Sequence, residues 1–125
     1  MTTRTVLPNR RPCETFDFEH APDRGMAGIR YTATVGYGTE VGEEPDHKVK
    51  LIVSEVFLNS SKLGSGSDSS ARDAAIATAI ALQYGARLQT LCRAVTRNED
   101  GSPASPIGRL LDILAEQIAE AEDMS

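Results

Sequence analysis

At 125 residues the chain suits one domain with a modest core, because two halves would each be too small to bury enough apolar surface. Its 40% hydrophobic and 25% charged residues form an ordinary globular profile. A formal charge of -5 excludes wrapping nucleic acid by bulk electrostatics, which takes clustered Lys and Arg.

In chain order, residues 1–12 read as a flexible arm, polar and broken by Pro8 and Pro12, with Arg4, Arg10 and Arg11 as its charges. No apolar stretch there resembles a signal peptide. Residues 13–125 read as one domain. In Glu14–His20, Phe16 and Phe18 alternate with Asp17 and Glu19, the pattern of a half-buried strand. A Pro- and Gly-bearing turn follows. From Ile29 to Tyr37 the alternation returns, with Ile29, Tyr31, Ala33 and Val35 on one face and Arg30, Thr32 and Thr34 on the other. The glycines of Gly36–Gly42 lie near a strand end and imitate a dinucleotide fingerprint, but their spacing is wrong and no helix follows, so a hairpin loop is expected. Residues 48–59 are rich in β-branched and aromatic side chains and give a third strand. Its alternation slips at Ser54 and Glu55, which predicts a bulge or bend.

After Ser60 the period changes from two to 3.6. Ile76, Ile80 and Tyr84 lie four apart, and with Ala75, Ala79 and Leu82 they predict one broad apolar helical face ending at Gly85. Its alanines would let a sheet or a second helix approach closely. Leu88, Leu91, Cys92 and Val95 predict a short second helix. Asp100-Gly101 and Ser102-Pro103 mark a loop. Ser105 then caps a third helix with Pro106 in its first turn and a stripe of Ile107, Leu110, Leu111, Leu114 and Ile118. Three strands followed by three helices predict an α+β fold, a three-stranded antiparallel sheet with the helices packed on one face.

The chemistry concentrates where the third strand meets the first helix. A Gly/Ser turn entering a helix gathers free N–H groups at the positive end of the helix dipole, and Lys62 and Arg72 add full charges. With Gly64, Ser65 and Gly66 they form a candidate phosphate or carboxylate cradle. It is not a P-loop, because no Gly-Lys-Ser/Thr stands at the required spacing. The competing reading is a strand stop and a helix cap, with Ser70 and Asp73 as a capping box or with Asp68 or Ser69 as the cap. Helix starts far outnumber phosphate sites, which favours the cap. A second candidate anion site joins Arg97, Arg109 and the helix start at Pro106; against it, Arg97 can cap the second helix's carbonyls while Arg109 faces water or the acidic last segment of Asp112, Glu116, Glu120, Glu122 and Asp123. His20 and His47, each alone near a strand end, read as solvent-facing or hairpin-edge residues. Cys92 reads as a small core residue and Cys13 as exposed. With two cysteines outside any CxxC pair, a reducing cytoplasm fits best. No metal pattern and no nucleophile–base order stands out, so neither a catalytic residue nor a cofactor is expected.

The stretch from Glu55 resembles the TSCPD domain, a family found at the end of adenosylcobalamin-dependent class II ribonucleotide reductases and as stand-alone short proteins. The family pattern is a strand ending E-[IV]-F-[IVL]-N, a small-residue stretch with K-x-G-S, a helix ending L-Q-x-G, and a short helix. Those parts fall on Glu55 to Asn59, on Lys62, Gly64 and Ser65, on Leu82, Gln83 and Gly85, and on Leu88 to Val95. The likeness covers most of Cys13 to Leu114. The Thr-Ser-Cys-Pro-Asp string that names the domain is absent, so no role tied to it carries over. The resemblance implies an accessory or regulatory piece that binds a reductase-like protein, a nucleotide, or both. The reductase reaction itself needs more cysteines than two. The other reading of the residues is an interaction module or homodimer with no small ligand. Neither a membrane nor nucleic acid is an expected partner.

Overall fold

The computed structural model describes residues 4, 7, 11–21, 28–41, 49–61 and 66–123. Three strands, β1 (Cys13–His20), β2 (Ile29–Val41) and β3 (Val49–Ser60), precede three helices, α1 (Gly66–Gln83), α2 (Leu88–Ala94) and α3 (Pro106–Asp123). The sheet is antiparallel in the order β1-β2-β3, as the sequence predicts. All three helices lie on the sheet face that carries Tyr31, Ala33, Val35, Val56 and Leu58, and the fold is α+β.

The core follows from the two periodicities. On β2 the buried side chains are alternate ones, Tyr31, Ala33 and Val35, and β3 answers with Val56 and Leu58. Phe18 stacks on Tyr31 with ring centroids 5.7 Å apart. Across this layer runs α3, whose Leu110, Leu111 and Leu114 are wholly buried. Its start is built as expected, with the Gly108 amide donating to Ser105 Oγ at 3.2 Å. At the other end of the helical layer, α1 stops where Gly85 takes φ +100°. The Ala86 amide reaches the Ala81 carbonyl and the Gly85 amide the Leu82 carbonyl, both at 3.0 Å, which is the Schellman arrangement.

Among the described residues, the opposite sheet face carries no helix, and it is laced by polar cross-strand pairs. Asp17 accepts from Thr32 Oγ1 at 2.7 Å and from Arg30 at 2.5 Å, and Thr15 meets Thr34. The Thr32 hydroxyl and the Arg30 guanidinium hold the Asp17 carboxyl below its usual range. The predicted slip in β3 is a bulge: Gly36 pairs with Glu55 and Tyr37 with Val53, which leaves Ser54 between them.

Three expectations fail on packing. Gly36 to Val41 continue β2 rather than form a hairpin loop. The glycines there serve the neighbouring strand: a Cβ on Gly36 would collide with the Glu55 carboxyl, and one on Gly38 would lie 2.5 Å from Ser54 Oγ. Next, α1 begins at Gly66, so Ser70 and Asp73 lie inside it and cannot box its end. Finally, its apolar residues divide between two faces. Ala71, Ala75 and Ala79 are buried and bring the helix onto β3 and the core, whereas Ile76, Ile80 and Tyr84 face outward at 48%, 39% and 47% exposure. A helix seated close on a sheet accepts only small side chains along its contact line, and one residue's step of about 100° turns the isoleucines away.

Two points of the arm have defined partners. Arg4 donates from Nε to Gln83 Oε1 at 2.7 Å, and Arg11 pairs with the buried Glu55.

Candidate functional site

Around the start of α1, the first candidate site is described in part. Lys62, Gly64 and Ser65 lie outside the described residues, and Gly66 opens the helix. The buried polar group of its first turn is Asp68. One of its carboxylate oxygens accepts the Ser60 amide at 2.9 Å, which ties the end of β3 to the start of α1. Arg72, one turn along, is more than half exposed and stands 3.7 Å from the same carboxylate. The helix end therefore already holds a negative group of the chain's own, placed where the dipole favours it. An incoming anion would meet that carboxylate as well as the amides.

Sequence spacing alone did not pair Arg97 with Asp112, which is the feature that defines the second candidate. The guanidinium grips that carboxylate with two hydrogen bonds of 2.8 and 2.6 Å. It also donates to the Cys92 carbonyl at 3.1 Å and to the Gly101 carbonyl at 3.2 Å. Arg97 thus fastens the end of α2, the turn after it and α3 to one another. The fork-to-fork hydrogen bonds hold Asp112 below the ordinary carboxylate range. Arg109 is half-buried on α3, with its charge acting on both Asp112 and His20.

His20 is not the solvent-facing edge residue its position suggests. Its ring is 6% exposed, on the core side of β1, against the backbone carbonyl of Ala104. A polar residue at a strand end carries no sign in the sequence of the helix that will cover it. His47 lies outside the described residues. Cys92 is a core residue whose Sγ–H donates to the Leu111 carbonyl at 3.4 Å, and Cys13 is exposed. Among the described residues, His, Cys, Asp and Glu nowhere gather in threes around one point. Among the same residues, no helix is long and apolar enough to cross a membrane.

The surface feature that the sequence pattern mislocated is the outer stripe of α1. Ile76, Ile80 and Tyr84 stand at i, i+4 and i+8 with about half their surface in solvent. The spacing was visible; its direction was not. No protein-family model, curated protein or solved structure matches the chain.

Proposed function

We propose that the chain is a non-catalytic accessory or regulatory domain of the TSCPD type, cytoplasmic, which docks onto a ribonucleotide-reductase-like protein through the outer face of α1. The observation that supports docking is the row Ile76, Ile80, Tyr84: two large apolar side chains exposed in line on α1 and a third on the residue just past its end. Such a row anchors helix-mediated contacts, in which i, i+4 and i+8 residues enter one groove. The partner class rests on the motif residues Glu55 to Asn59, Leu82, Gln83 and Gly85. Immobilised chain is expected to retain a reductase subunit from its source cell, and Ile76→Glu with Ile80→Glu is expected to abolish retention while the circular dichroism stays that of the parent. Undiminished retention by the double variant, or no reductase retained by the parent, refutes the reading. A tight dimer in sedimentation that the double variant dissociates, with no reductase retained, supports self-association instead.

Arg72 favours a second reading, in which the start of α1 binds a nucleotide or another anion. Its guanidinium is largely solvent-exposed beside the first helical turn and only loosely engaged by Asp68. Nucleotide at millimolar concentration is then expected to shift the amide resonances of Gly66 to Ser70. Unmoved resonances remove this site.

A further inference from the structure

We propose that His20 is a protonation-sensitive latch: neutral, it closes the seam between the end of β1 and the start of α3, and protonated, it lets that seam open. His20 is the last residue of β1 and pairs with Ile29 of β2. Its side chain points to the helical side of the sheet, as do those of Phe16 and Phe18 two and four residues earlier. The ring is 6% exposed, and its backbone neighbour is the carbonyl of Ala104, two residues before α3. Nε2 is buried and has no hydrogen-bond partner among the described residues. With Nε2 unpartnered, the ring N–H that meets the Ala104 carbonyl belongs on Nδ1, and Nε2 carries the lone pair.

Protonation places a hydrogen on that nitrogen. It creates a buried donor with no acceptor and a buried charge, each costly on its own. The described charge that acts on the ring is Arg109 on α3, which repels an imidazolium. On β2 the cross-strand neighbour is apolar Ile29, with Tyr31 the next residue inward on that face. From residues 102–105 the contact is the Ala104 carbonyl, which alone favours the charged form. Burial and then Arg109 outweigh it and hold the imidazole below its ordinary value of 6.5.

The folded ring binds its proton less readily than the unfolded one, so the latch contributes fully above 6.5. Its contribution is lost as the pH falls below that value and through the folded-state midpoint. The break is expected to be local, because the ring's described neighbours are Ile29 on β2 and Ala104 before α3, and none lies on β3.

Two measurements on the full chain test the latch. Proton NMR of the His20 Cε1–H is expected to titrate below 6.5. Hydrogen-exchange protection factors at about pH 8 and about pH 5 are expected to fall for Ile107 to Leu111 at least tenfold more than for Val56 to Asn59. In His20→Gln, which cannot be protonated, that difference is expected to vanish. A His20 midpoint at or above 6.5 overturns the proposal. So does loss of protection spread evenly over α3 and β3, or an undiminished difference in His20→Gln. Should that variant fail to fold, the two wild-type measurements decide alone.

Discussion

Replacing Gly36 by Ala sets a general rule against a particular contact. Glycine within a strand is destabilising by about 0.5–1 kcal/mol, so Ala elsewhere in β2 would be expected to help. At Gly36 the new methyl would occupy the space of the Glu55 carboxyl, which lies across the strand and is buried there with Arg11. Forcing extra volume into a filled site costs about 1–3 kcal/mol. The contact outweighs the propensity, leaving a net loss of about 0.5–2 kcal/mol. With a urea slope of about 1–3 kcal/mol per molar, the midpoint drops by roughly 0.5 M. Removing the obstruction restores the rule: in a Glu55→Ala background, Gly36→Ala is expected to be neutral or stabilising, a coupling that a double-mutant cycle reads directly. A higher urea midpoint for Gly36→Ala alone, or no coupling in the cycle, refutes this account of the glycine.

Leu111 is wholly buried, so Leu111→Ala is expected to cost about 2–5 kcal/mol in urea denaturation, whereas Ile76→Ala on the outer face of α1 stays within about 0.5 kcal/mol. Similar losses for the two would mean that α1 has been placed with the wrong face inward. A maleimide is expected to label Cys13 about 100-fold faster than Cys92, whose thiol is buried and pushed up by that burial, with the Asp112 charge adding to it. Equal rates would show that the seam between α2 and α3 opens freely.

The order of strands and helices was legible because period two and period 3.6 leave different traces, and even the bulge showed as a slip at Ser54. The turn chemistry at Gly85 and Ser105 was readable for the same local reason. What escaped depends on distance in sequence. Gly36 and Gly38 look like turn residues until Ser54 and Glu55 are laid beside them. Ala75 and Ile76 are both apolar, and only the closeness of β3 decides which faces inward. The grip of Arg97 on Asp112 crosses a turn and 15 residues, and His20 meets Ala104 from the far end of the chain. At the Gly/Ser turn, composition favoured a cap over a cradle, and buried Asp68 now stands among the groups that any ligand there would face.

The two arginine contacts of the arm set an order of events during synthesis. Arg4 leaves the ribosome well ahead of its acceptor, Gln83, which is 79 positions later. Arg11 must likewise wait for Glu55, 44 positions on. The arm is therefore fastened late, after the sheet and then α1 exist to receive it, and a nascent chain halted before Gln83 emerges would leave Arg4 without its acceptor.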